Sequence, residues 1–318
     1  MDPLAGTPWS SPSMVEGFVK GSPNAVLMDY ASRVQKAGGR VALDIGCGAA
    51  RNALPLAASG WRVLGTDLSW PMLEGAERKR RDRRDSAEAG ALFMLAPMEA
   101  LPVRDRAIDL VIAHGIWNLA HSDDQFRRAV AEAARVSRPG AALFVFTFSR
   151  HTLAEDAQPL PGQTYTFTQF SGTPQIFLTD EQLIAELARA GFVRDTSLPI
   201  TEYNRQSTSL RATGGGPVIY EAAFRAVTRG PGGPGKPGGP GRPGRPGKPG
   251  RPGPVKSRPP GRARSLEPVL SALRLKPTLP GAPSLKPRAN PPVPASDSHD
   301  TRALLSKRGA RRPPRCPR

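Results

Sequence analysis

Apolar and polar positions fall into blocks along the first 228 residues, and block length separates strands from helices. Short apolar runs predict strands over Val41–Ile45, Arg62–Thr66, Ala91–Leu95, Ile108–Ala113, Ala141–Phe148, Phe192–Leu198 and Val218–Ala226. Helical spacing lies between them, over Arg51–Ser59, Trp70–Arg81, Asp123–Val136 and Asp180–Ala190. Ser122 with Gln125, and Thr179 with Gln182, have the spacing of capping boxes at two of these starts. An N-terminal segment, residues 1–38, is expected to add helices around Ser13–Phe18 and Asn24–Lys36. Alternation of this kind specifies a doubly wound α/β sheet, whose ligands bind beyond the carboxyl ends of the strands.

The first strand runs into Gly46-Cys47-Gly48 and then a helix. A strand, glycine turn and helix leave backbone N–H groups at the helix start for a ligand. Two ligands compete, a dinucleotide and S-adenosylmethionine. The dinucleotide fingerprint needs a third small residue where this chain has Arg51, and Asp44 before the turn repels a pyrophosphate. A carboxylate there suits an ammonium and a sulfonium. Asp67 ends the second strand, where an acid accepts hydrogen bonds from ribose hydroxyls in either ligand. Asp44 and Arg51 therefore decide for S-adenosylmethionine.

Leu43-Asp44-Ile45-Gly46-Cys47-Gly48, Gly65-Thr66-Asp67-Leu68-Ser69 with Met72-Leu73, Glu99-Ala100-Leu101-Pro102, Ile108-Asp109-Leu110-Val111 and Val136-Ser137-Arg138-Pro139-Gly140 follow in order. With these motifs the chain resembles the class I S-adenosylmethionine-dependent methyltransferases from about residue 10 to residue 228. The resemblance implies a mostly parallel seven-stranded, Rossmann-like sheet with its last strand antiparallel. It assigns the cofactor, released as S-adenosylhomocysteine, to Asp44, Gly46, Cys47, Gly48, Arg51, Asp67, Leu68, Met98, Glu99 and His114. Many members have an Asp near the adenine amino group where this chain has Pro97, which leaves the Met98 N–H to reach the ring. The run Gly48–Ala57 loosely resembles tellurite- and thiol-detoxifying methyltransferases.

His114, after the fourth strand, is a candidate general base or a backbone contact to the cofactor. Trp117 walls an acceptor pocket, or it is a packed Trp beside a surface His121. Tyr30, His121, Arg150 and His151 complete the expected pocket. Aromatic segments at Trp9–Tyr30 and Thr164–Phe177 are expected to close it, the second as a lid or a plain hairpin. Cys47 fits the turn by size and has nothing nearby to activate it. No metal-ligand cluster stands out.

Charge divides the chain. Residues 229–318 hold 21 Lys/Arg against 3 Asp/Glu, so the whole formal charge of +18 belongs to the tail and residues 1–228 are neutral. The tail has 22 of the 36 prolines and no aromatic residue, a composition expected to stay disordered. Glycine recurs at every third place from Gly232 to Gly253, which favours extended polyproline II over a short, self-repelling triple helix. Leu266–Leu275 is too short to stand alone as a helix. Cys47 and Cys316 are too far apart in role to suggest a disulfide, and no apolar run is long enough to span a membrane. A cytoplasmic monomer or dimer is expected, organised as the 1–38 cap, a 39–228 cofactor-binding domain and the 229–318 tail. A neutral domain favours methyl transfer to a small-molecule acceptor. The tail either has no specific role or adds weak, non-specific nucleic-acid contact, with RNA methylation or a non-catalytic scaffold as the competing readings.

Overall fold

Val41–Ile45 (β1) is buried at every position, as a central strand covered on both faces must be. The computed structural model describes residues 2–82, 90–205 and 216–227. The expectations for the tail, including Leu266–Leu275 and Cys316, lie outside them.

The main sheet runs β3-β2-β1-β4-β5-β10-β8. Its members are Arg62–Asp67 (β2), Ala91–Leu95 (β3), Ile108–His114 (β4), Ser137–Phe148 (β5), Phe192–Arg194 (β8) and Ile219–Ala226 (β10). β1 to β5 are parallel, and β10 pairs antiparallel to β5 and β8. The order reverses between β1 and β4, which opens a crevice at their carboxyl ends. The expected seven strands gain a short eighth, Thr201–Tyr203 (β9), on the edge of β10. It exists because the predicted run Phe192–Leu198 breaks at Asp195, whose carboxylate takes the Ser197 N–H at 3.0 Å and turns the chain.

Helices Ala25–Lys36 (α2), Ala53–Ala58 (α3) and Trp70–Arg81 (α4) cover one face, burying Leu27, Tyr30, Leu54 and Ala76. Asp123–Val136 (α5) and Asp180–Ala190 (α6) cover the other with Phe126, Val130, Leu183 and Leu187. Pro12–Lys20 (α1) lies on α4, with Val15 packed beside Ala49 and Met72. Local caps fix these bounds. Ser69 and Ser122 accept the Met72 and Gln125 N–H groups, and Thr179 forms a complete capping box with Gln182. The second expected box is half made, because Gln125 Oε1 accepts the His121 N–H at 2.9 Å instead.

The segment expected as a lid forms a hairpin, Thr166–Phe167 (β6) and Gln175–Ile176 (β7). Tyr165, Phe167, Ile176 and Phe177 are buried in the main core, so the hairpin is part of the packed body. Among the described residues no helix is long and apolar enough to cross a membrane.

Candidate active site

The turn after β1 takes its shape from Gly46 at φ +69 and Gly48 at φ +52, a region open to glycine at little cost. Ala50 is also left-handed, at φ +59, and this delays α3 to Ala53, two residues beyond its predicted start. The turn is braced from β2. Cys47 N–H donates to the Thr66 carbonyl at 2.9 Å. Gly48 N–H donates to Asp67 Oδ2 at 2.8 Å, and Ser69 N–H to Asp67 Oδ1 at 2.8 Å. The Gly48 N–H expected to await a ligand is therefore held by Asp67. Cys47 fills space, since a Cβ on Gly65 would stand 2.7 Å from its Sγ. Burial pushes its thiol pKa up, away from reactivity.

Asp44 is 2 % exposed, and its Oδ2 has no hydrogen-bond partner among the described residues. Burial pushes its pKa up to about 7, Arg51 pulling down and Asp67 adding to the rise. Burial also raises the Asp67 carboxyl against the lowering effect of its backbone donors. Two carboxylates and one guanidinium thus face the turn.

Phe18 and Ile116 cover the glycines. A Cβ on Gly46 would lie 2.6 Å from Ile116 Cδ1, and one on Gly48 3.0 Å from Phe18 Cδ1. The Arg51 guanidinium stands 5.8 Å from the Phe18 ring centroid. With Ser13, Met14, Gly17, Phe18 and Gly21 it lines a cavity of about 330 Å³ between α1 and the turn. Gly46→Ala is expected to lose cofactor binding and to cost about 1–2 kcal/mol in backbone strain alone, with the Ile116 clash added. Denaturant titration and calorimetry check this, and an unchanged variant would refute the close approach.

A polar row that no local sequence pattern announces lies at the carboxyl ends of β4 and β5. Register aligns His114 of β4 with Phe146 of β5, and Phe146 with Glu221 of β10. The His114 ring stacks on Phe146 at 4.2 Å. Asn24, the N-cap of α2, accepts the Leu27 N–H at its Oδ1, which fixes its amide group. Its Nδ2 then donates to Glu221 Oε1 at 2.6 Å and sits 3.2 Å from His114 Nε2. Arg51 Nη2 is 3.3 Å from His114 Nδ1. Both ring nitrogens face donors, and burial with the Arg51 charge lowers the His114 pKa to about 4. The ring stays neutral near pH 7. The signal for Glu221 was a lone acid in an apolar strand, and for Asn24 a capping residue after Pro23.

The other expected residues separate. Leu68 and Met98 follow β2 and β3 at the crevice. Glu99 Oε1 accepts from Gln125 Nε2 at 3.0 Å, while its Oε2 is buried without a partner. Trp117 is 1 % exposed and packs edge-on against Phe126, in the main core. The remaining pocket expectations do not converge. The Tyr30 hydroxyl donates to Asp195 at 2.8 Å on the α2 face. His121 is exposed before α5. Arg150 donates to the carbonyls of Ala154, Glu155 and Ala157. His151 Nδ1 pairs with Glu202 Oε1 at 2.6 Å. Tyr30, Arg150 and His151 are thus taken up by other partners. Among the described residues no cluster of metal ligands is present.

Residues 43–145 match a family model described as a methyltransferase domain. The chain is 42% identical over 123 residues to a ubiquinone/menaquinone biosynthesis C-methyltransferase of Acidiphilium cryptum, covering 38% of this chain and 47% of that protein. It is 32% identical over 125 residues to a cypemycin N-terminal methyltransferase of a Streptomyces species, covering 39% and 48%. It is 27% identical over 205 residues to the O-methyltransferase resE of Aspergillus sclerotiorum, covering 61% and 73%. The chain spans about half the length of the first two of these relatives. Among solved structures, it resembles a SAM-dependent methyltransferase of Methanosarcina mazei at 19% identity and TM-score 0.52, over 66% of this chain and 100% of that one. At that identity the likeness shows the fold.

Proposed function

We propose, for a chain that belongs to the class I S-adenosylmethionine-dependent methyltransferases, that it transfers a methyl group from S-adenosylmethionine to a small-molecule acceptor. The observation that carries this reading is Asp44, a buried carboxylate with one oxygen unpartnered beside a glycine turn. An ammonium supplies the missing donor, whereas a diphosphate would add negative charge. Asp67 keeps lone pairs on both oxygens after its two backbone donors, and these accept ribose hydroxyls. Arg51 takes the cofactor's carboxylate. The backbone at Leu68 and Met98 borders the adenosine, and Glu99 offers its unpartnered Oε2.

The bound sulfonium supplies an already activated methyl group. What the chain contributes is position and dryness: Phe18 and Ile116 form an apolar cover over the turn. His114, neutral and stacked on Phe146, steadies Arg51 beside Phe18 and does not serve as the general base. The relatives include proteins named as a C-methyltransferase, an N-terminal methyltransferase and an O-methyltransferase, so methyl transfer is what they share. Residues 1–38 act as the cap of a 39–228 domain, and the basic tail adds weak, salt-dependent attraction to polyanions.

Calorimetry of the full chain with S-adenosylmethionine tests the reading. Saturable binding is expected, weakened about 100-fold in Asp67→Ala by loss of the charged acceptor. Absence of binding, or a variant that binds like the native chain, defeats it.

A further inference from the structure

Glu221 is 3 % exposed, yet its partners are neutral: Asn24 Nδ2 at 2.6 Å on Oε1 and the Tyr203 hydroxyl at 3.0 Å on Oε2. Among the described residues no Lys, Arg or His forms an ion pair with it. A buried carboxylate without a cation is costly, and it is usually retained for a task. Its place is the carboxyl end of β5, level with His114 across Phe146, at the crevice edge where β4 ends. Asn24, His114 and Phe146 around it are partly exposed, and Tyr203 is 39% exposed on a three-residue strand.

The charged and titratable groups that face it are few. Tyr203 approaches from β9, and His114 approaches from β4 through the Asn24 amide. Arg51 stands beyond His114. Arg225, four residues further along the same face of β10, is held by Asp195 at 2.7 Å. His114 cannot take a proton readily between two donors. Each Glu221 oxygen holds one donor and keeps a second lone pair.

We propose that Glu221 is the proton acceptor for a methyl acceptor bearing an aromatic hydroxyl, which takes on Oε2 the place held by the Tyr203 phenol in this structure. The inference rests on the methyl-transfer reading above and adds the acceptor class and its base. A phenol is largely un-ionised near neutral pH and a poor nucleophile in that form. As its oxygen bonds to the methyl carbon, the bond from that carbon to sulfur breaks and leaves its electron pair on sulfur. The hydroxyl proton passes to Glu221 Oε2 and from there to solvent. Asn24 holds the other oxygen throughout, so the carboxylate keeps its orientation.

The test uses the full chain with S-adenosylmethionine, two phenols (phenol and catechol) and thiophenol, which ionises by pH 8 without help. Glu221→Gln preserves the hydrogen bonds, since its Oε1 accepts from Asn24 and its Nε2 donates to the Tyr203 oxygen. Expected is a loss of about 100-fold or more in kcat on the phenols, with thiophenol turnover and cofactor affinity within about threefold of native. The variant's rate on phenols should recover at alkaline pH, where the acceptor ionises by itself. Equal losses on phenols and thiophenol, or no loss on phenols, overturn the assignment. So does binding of cofactor without turnover of any phenol by the native chain. Failure to bind cofactor at all would instead strike the methyl-transfer reading.

Discussion

Asp44→Asn is expected to bind S-adenosylmethionine about 100-fold more weakly than the native chain, while becoming more stable above neutral pH. Truncating one partner of a buried charged pair costs roughly 2–5 kcal/mol, and a 100-fold loss is about 2.7 kcal/mol within that range. The stability gain follows from burial, which moves the Asp44 pKa from 3.8 to about 7. The fold favours the protonated acid. That contribution is fully present below pH 3.8 and is lost as pH rises through about 7. The difference is worth on the order of 4 kcal/mol. Native affinity should tighten about tenfold between pH 6 and pH 8 as Asp44 ionises, and the Asn variant should lack that dependence.

His114 works in the opposite direction. Its pKa falls from 6.5 to about 4, so the fold favours the neutral ring. Its contribution is fully present above pH 6.5 and is lost as pH falls through about 4. Between these limits the two groups offset each other, and native stability should vary little. Asp44→Asn should lose stability on acidification, whereas His114→Gln should gain it. Denaturant titrations at pH 4.5, 6 and 8 measure both slopes. An Asn variant with the native pH dependence would mean that the carboxylate is not buried as described.

The parts of this molecule legible in the sequence are those decided within a few residues. α4, α5 and α6 begin and end where spacing placed them, because Ser69, Ser122 and Thr179 cap their own helices. Gly46, Gly48 and Asp67 were likewise readable, since a strand end and a tight turn leave few choices of residue. The rest was hidden for other reasons. α3 starts late because a left-handed Ala50 extends the turn, and alanine gives no warning of that. The bond from Asn24 to Glu221 spans 197 residues and exists only because β10 pairs with β5 in one register. No local pattern encodes such a meeting. The residue types of Tyr30, Arg150 and His151 say nothing about direction, and each side chain is bound to a partner away from the glycine turn.

Asp123→Ala should destabilise the fold by about 4 kcal/mol. Asp123 is 5 % exposed at the first position of α5, where a negative charge is favoured by the helix N-terminus. Its Oδ2 accepts the Thr164 N–H at 2.6 Å, and its Oδ1 accepts the Tyr165 N–H at 3.3 Å and the Thr166 hydroxyl at 2.7 Å. Its own N–H donates to Gln163 Oε1 at 2.8 Å. One side chain thus fixes the entry of the β6–β7 hairpin to the helix. Alanine leaves three donors to find new partners, two of them backbone, and each buried donor left unpaired costs roughly 1–3 kcal/mol. The hairpin also places Phe167, Ile176 and Phe177 in the main core, so its loosening spreads to apolar packing. A second tie runs from the Tyr165 hydroxyl to the buried Glu186, itself paired with Arg127 at 3.1 Å, and this limits the damage to partial release. The glycine turn lies across the sheet from these contacts and draws its bracing from β2. Cofactor affinity should therefore stay within about threefold in the variant below its melting temperature. Urea denaturation and calorimetry separate these effects. A cost below about 1 kcal/mol would show that the hairpin is held by its apolar residues alone.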